Sequence, residues 1–221
     1  MAERFVDDWA HQDFPSMRDE LSSSAQAQYS AADLASAYRE AQQAATAMAI
    51  DPGDADGPKS VNGTDVVEVE VDVRTRLFGE VDGVLRLPLD GGKVAWAPHL
   101  TFPNLAPGER VGRRLELGRR APIMAKHRIP LATGPVDSRS SPLGSDAIDV
   151  AGQTGAADDE QEAKLERAGY PTNQSTGISG LELAFNPRLS GRPSGELLAV
   201  KAGTPLPNVP AKTVLQECAK A

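Results

Sequence analysis

Three histidines, one cysteine, the serines and a row of carboxylates are the side chains from which this 221-residue chain could build a reactive site. His11, His99 and His127 lie far apart, and none belongs to an H-x-x-x-H or H-E-x-x-H pattern that would set two imidazoles on one helix face around zinc. Cys218 is the only cysteine, which excludes an intramolecular disulfide and a multi-thiolate metal site. No serine is followed three places later by a lysine, so the S-x-x-K arrangement of an activated serine nucleophile is missing. Lys201-Ala202-Gly203 and Lys212-Thr213-Val214 each lack one residue of a K-T-G strand, and no S-x-N companion is assigned. Gly177-Ile178-Ser179-Gly180 could cradle a phosphate at a helix N-terminus, but neither a strong strand before it nor a lysine after it supports that use. A packing or turn role is expected of both glycines. The sequence therefore assigns no catalytic residue, no metal ligand and no cofactor.

Composition narrows the class further. The chain carries 23 Lys+Arg against 31 Asp+Glu, a net charge of −8, and 40% hydrophobic residues. Such a chain can bury a core, and its acidity argues against a nucleic-acid backbone as partner. No apolar run approaches the ~18–20 residues of a membrane span, and no signal peptide opens the chain. Charge is uneven: up to Leu115 there are 11 basic and 19 acidic residues, and after it 12 of each. Two domains would explain the shift. The Pro-, Gly- and Asn-rich stretch from Leu100 to Gly112 reads as the connector between domains 1–112 and 113–221.

Periodicity places the secondary structure that carries these residues. Phe5, Val6 and Trp9 share one face of a short helix, and Met17 and Leu21 mark a second helical turn. Ser30 reads as the cap of a long helix whose stripe runs from Leu34 through Tyr38 to Met48, stopped by Asp51-Pro52-Gly53. A polar surface loop is expected from there to Gly63. The period then changes to two: Val67, Val69, Val71 and Val73 alternate with Glu68, Glu70, Asp72 and Arg74, predicting an antiparallel strand with one wet face. Val84 to Leu89, the Asp90-Gly91-Gly92 turn and Val94 to Trp96 complete a meander. Trp9 and Trp96 are expected in the core. After Leu115 the pattern is less regular. It comprises an extended segment with a turn over 119–132, a polar helix over 157–168 closed by Gly169, a short helix around Leu181 bent by Pro187, and a strand over 197–201. The fold class is α+β.

Some of these residues resemble a known family. Gly177-Ile178-Ser179-Gly180-Leu181-Glu182, followed by Leu189-Ser190-Gly191 and Gly195, resembles the G-x-x-G-(L/I)-E…L-x-G-x-x-G stretch in the non-catalytic pedestal, or dimerisation domain, of class B penicillin-binding proteins. Arg120-Ala121-Pro122-Ile123 and Pro130-Leu131-Ala132 are similar to the opening of that domain, an R-x-x-I strand leading through a turn into P-L-A. Trp9 before Asp13-Phe14, Tyr38 on the long helix, and Trp96-x-Pro98 before Pro103-x-Leu105 are similar to the NTF2-like N-terminal domain of a subset of these enzymes. The resemblance implies an NTF2-like cone, helices on a curved antiparallel sheet, followed by an irregular α+β pedestal. It singles out Arg120, Ile123, Gly177, Gly180, Glu182, Gly191 and Gly195 as structural motif residues, with Glu182 as a carboxylate bonded to backbone amides of the pedestal. The chain departs from the family at Met124–Ile129, where the usual Asp and Gly are missing. Without a residue that takes a positive φ cheaply, that turn is expected to be loose.

The function implied is a non-catalytic extracytoplasmic scaffold, part of a longer protein with a membrane anchor before it and a serine-type D,D-transpeptidase domain after it. That domain would be its first partner, with peptidoglycan or proteins of cell-wall synthesis as further candidates. The location implied is the outer face of the cell membrane. An alternative is a small-molecule binder or enzyme with a pocket in the NTF2-like cone, for which Asp13 or His99 would be the residue to test. The aliphatic inward face of the 67–73 strand argues against a general base there.

Overall fold

The period of the apolar residues sets the first elements in the computed structural model, which describes residues 1–172 and 174–201, with 213–217 described by backbone alone. Helix α1 (Ala2–Ala10) buries Phe5, Val6 and Trp9 on the face that their spacing requires. Helix α2 (Phe14–Asp19) is capped by Asp13, whose carboxylate accepts the Ser16 backbone N–H at 3.2 Å. A third helix, α3 (Ser23–Gln28), has only Ala25 buried and so shows no apolar stripe in the sequence. Helix α4 (Ala31–Ala45) opens with a reciprocal box: the Ser30 hydroxyl accepts the Asp33 N–H at 3.2 Å, and the Asp33 carboxylate accepts the Ser30 N–H at 2.8 Å. It ends earlier than its apolar stripe predicts, at Thr46 in a left-handed conformation.

Beyond Thr46 the structure corrects the sequence reading. Instead of a surface loop, residues 47–61 form β1 (Ala47–Val61), which pairs antiparallel with β2 (Thr64–Thr75). Its prolines, glycines and aspartates are tolerated because it is an edge strand, with register shifts between Pro52 and Ala55 and between Asp56 and Lys59. Next come β3 (Glu80–Asp90) and β4 (Lys93–Val94), giving a four-stranded sheet in the order β1-β2-β3-β4. Val67, Val69, Val71 and Val73 are at most 7% exposed, while Glu70 and Asp72 on the opposite face are open to solvent.

The expected connector is also corrected. Leu100 and Phe102 are buried, a 3-10 turn spans Pro98–Thr101, and the Asn104 amide and carboxamide bond to Val84 on β3. Residues 109–116 form β5 (Glu109–Glu116), which runs through Gly112.

The second half begins with a small hairpin, β6 (Ile123–Met124) and β7 (Pro130–Ala132). Helix α5 (Ser145–Ala151), unforeseen in the sequence, is followed by β8 (Thr154–Gly155) and α6 (Asp159–Arg167), the latter capped by Asp158. Strand β9 (Thr176–Gly177) pairs with β8, and α7 (Gly180–Ala184) leads to α8 (Asn186–Ser190), where Pro187 restarts the helix at its first turn. The last elements are β10 (Ser194–Lys201) and β11 (Thr213–Glu217), which lie beside β5 in the order β11-β10-β5. By its contacts the chain divides into Met1–Arg114 with the described residues from Glu196 on, and Leu115–Gly195. Cys218 and Lys212 lie outside the described residues.

Candidate functional site

In the first unit aromatic side chains of the helices pack together with Trp96 in the core. The Trp9 and Tyr38 rings lie 5.3 Å apart, tilted at 44°, and the Tyr38 hydroxyl donates to the Leu100 carbonyl and accepts from Trp96 Nε1, both at 3.2 Å. Complete burial pushes the Tyr38 phenol well above its ordinary value, so it stays neutral. Asp13 is an α2 cap, held below the usual carboxylate range by the Ser16 hydroxyl and backbone N–H. His99 lines a cavity of about 460 Å³, in which its burial lowers the imidazole pKa. That cavity is walled by Glu68 of β2, by Leu85 and Arg86 of β3, and by the buried Leu100 and Phe102 of the segment that follows β4. Its charged wall is self-paired: Glu68 accepts from Arg86 Nε at 2.9 Å and from Lys59 Nζ at 3.3 Å. Asp72, Glu80 and Asp82 bring three carboxylates within 4.8 Å of one another, all of them exposed as on any solvated acidic face.

The second unit holds a different arrangement. Glu182, on α7, has a side chain 0% exposed. Arg120 Nε donates to its Oε2 at 2.6 Å, and Arg139 reaches Oε1 through Nε and Nη2, both at 2.7 Å. Both guanidinium groups make further bonds. Arg120 Nη1 donates to Asn186 Oδ1 (2.8 Å) and Ser190 Oγ (2.7 Å), and its Nη2 donates to the Glu182 carbonyl at 2.9 Å. Arg139 donates to the carbonyls of Gly134 and Ala121 at 2.8 and 2.9 Å. Two desolvated cations thus share one carboxylate, and their other bonds go to amide, hydroxyl and carbonyl oxygens, so the excess positive charge is solvated by the protein, the condition under which buried charge is tolerated.

The motif residues assemble around this lock. Gly177 lies against the Glu182 backbone so closely that a Cβ would stand 2.0 Å from the Glu182 carbonyl oxygen, and its N–H donates to Asn186 Oδ1 at 3.1 Å. Gly180 takes a φ of +55° and meets Gly152 backbone to backbone. Ile123 belongs to a small apolar cluster with Ala132, Ala151 and Leu189. Gly191 caps α8, its carbonyl accepting from the Tyr170 hydroxyl at 2.9 Å, while Gly195 sits at the start of β10. The expectation for Glu182 needs correction: its carboxylate meets two guanidinium groups, not backbone amides. Arg139 and Asn186 had no signal in the sequence, since 43 residues separate Arg139 from Glu182 and neither belongs to a spaced motif.

Chemically the lock does nothing reactive. Both Glu182 oxygens are engaged by guanidinium groups and the side chain is closed to solvent, so the carboxylate has no open approach for a substrate.

Two family profiles match the chain in succession. Residues 1–109 match the NTF2-like N-terminal transpeptidase domain, and residues 122–213 match the penicillin-binding protein dimerisation domain. The first accounts for helices packed on a curled antiparallel sheet, an α+β arrangement; the second begins two residues after Arg120 and takes in the rest of the lock. No catalytic-domain profile is among the matches. No curated protein matches the sequence significantly.

Proposed function

From a chain that belongs to the non-catalytic N-terminal region of penicillin-binding proteins, an NTF2-like transpeptidase N-terminal domain followed by a dimerisation domain, we propose a scaffold role. The region holds a D,D-transpeptidase domain of the same protein at the level of its peptidoglycan substrate, outside the cell membrane. Packed domains fix that distance with less loss of chain entropy than a flexible linker would need. The observation that carries the reading is the lock. The most deeply buried carboxylate of the second unit is committed to Arg120 and Arg139, so this charge serves rigidity and not bond-making. The sequence agrees, having no serine followed by lysine three places on.

Two measurements test the proposal. Incubated with a fluorescent penicillin, the chain acquires no covalent label; an acylated serine anywhere in it would refute the scaffold reading. In the transpeptidase-bearing protein, exchange of this region for a flexible linker of equal reach leaves acylation of the catalytic serine intact and abolishes cross-linking in cells. Normal cross-linking in the exchanged protein would show that no scaffold is needed.

A further inference from the structure

The β6–β7 hairpin tip is stranger than a loop needs to be. Its turn is tight, not loose: the Ala125 N–H donates to the Ile129 carbonyl at 2.8 Å, and His127 and Arg128 both take a left-handed φ, +60° and +59°. Asn-Gly would adopt that conformation at little cost, whereas two consecutive side-chain-bearing residues hold it against steric strain. Strain kept where a cheaper residue exists points to what the residues present. What they present is three consecutive basic residues, Lys126, His127 and Arg128, all exposed. Among the described residues none of the three side chains has an ion-pair or hydrogen-bond partner, in contrast to Lys164, Arg120 and Arg139 of the same unit. At either side of the tip stand two solvent-exposed aliphatic side chains, Met124 at 46% and Ile129 at 43%.

We propose that this hairpin tip docks on an anionic lipid bilayer surface, with Lys126 and Arg128 at the phosphate headgroups and Met124 and Ile129 in the acyl boundary. A hairpin tip of three residues, Lys126 to Arg128, is a convex projection, suited to a broad surface and not to a small ligand. The cations alone would fit any polyanion. The flanking aliphatics distinguish the lipid, because a soluble polyanion offers nothing apolar to cover them. The attraction is local: the chain carries a net charge of −8, so its overall field opposes approach to an anionic surface.

Vesicle co-sedimentation of the full chain at low salt tests the assignment. The chain sediments with phosphatidylcholine vesicles containing one quarter phosphatidylglycerol and stays in solution with pure phosphatidylcholine. Each cation near such a surface contributes about fivefold in partitioning, so K126Q/R128Q weakens binding by about 25-fold. M124S/I129S weakens it by about tenfold, while K164Q, which alters a cation on α6, leaves it unchanged. All four altered tip positions are solvent-exposed, so unchanged thermal unfolding of the variants confirms that their fold is intact. The proposal fails if anionic vesicles do not retain the chain, if neutral vesicles retain it equally, or if K126Q/R128Q binds like the parent. It fails too if soluble polyphosphate captures the chain and vesicles do not, which would make the tip a polyanion site instead.

Discussion

Glu182 is held by two guanidinium groups and answers both of them, so the three members of the lock are not equivalent. Neutralising the carboxylate leaves two buried cations without a counter-charge. Removing Arg139 leaves Arg120 and Glu182 as a matched pair. Breaking a buried ion pair by deleting one partner costs about 3–5 kcal/mol, chiefly because the survivor stays desolvated. E182Q should therefore lower unfolding free energy by about that amount. R139M, which fills the volume and leaves no excess charge, should cost about 1–3 kcal/mol, the carbonyl acceptors left without a donor at Gly134 and Ala121 setting the size. Urea unfolding of the second unit, followed by amide exchange around Gly177, measures both. Equal losses for the two variants would contradict the charge balance drawn from the distances. A lock of this weight is understandable where the apolar cluster is as small as Ile123, Ala132, Ala151 and Leu189.

At the scale of elements, the hairpin over Ile123–Ala132 gives the most direct test. Each side-chain-bearing residue held left-handed costs about 1–2 kcal/mol relative to a residue suited to that region, and Asn and Gly tolerate it best. H127N/R128G should raise the stability of the second unit by about 1–2 kcal/mol and its melting temperature with it, while weakening vesicle binding about fivefold through the missing Arg128 cation. Greater stability with binding intact would mean that the strain serves no interaction, and no gain in stability would mean that the turn is not strained. The same hairpin shows where sequence reading stops. Residue preference identifies the positive φ that a tight turn demands, yet the absence of Asn-Gly points to a loose turn; preference sets the energy of the conformation and does not choose it. Strand β1 is hidden for a related reason. Asp51-Pro52-Gly53 reads as a breaker, and only pairing with β2, whose valine alternation is plain, makes an edge strand of it. Elements with their own local signal are legible: the Ser30–Asp33 box of α4, the alternating β2, the Gly169 end of α6 and the Pro187 restart. The lock is half legible, because Arg120 and Glu182 stand in spaced motifs while Arg139 and Asn186 are recruited by tertiary proximity alone.

For the whole molecule, the order of elements in the chain and the membership of the compact units differ. The charge shift near Leu115 coincides with the point at which the chain leaves the first unit, but nothing in the composition signals its return at Glu196. The dimerisation-domain match runs to residue 213, past that return, so family boundary and compact unit part company at the C-terminal side. The sheet β11-β10-β5 carries the consequence. Strand β10 is its centre, and Leu197, Leu198, Ala199 and Val200 are at most 1% exposed. A chain ending at residue 195 keeps the whole Arg120–Glu182–Arg139 lock yet removes the central partner of β5 and the apolar surface of those four residues. Truncation there should therefore destabilise the first unit and not the second. Amide protection in β5 should fall to that of an unpaired edge, while protection at Gly177, whose N–H is held by Asn186, persists. If β5 amides exchange at the same rate in the 1–195 chain as in the 221-residue chain, then β10 contributes nothing to the first unit and the chain's re-entry is not a stabilising feature of this fold.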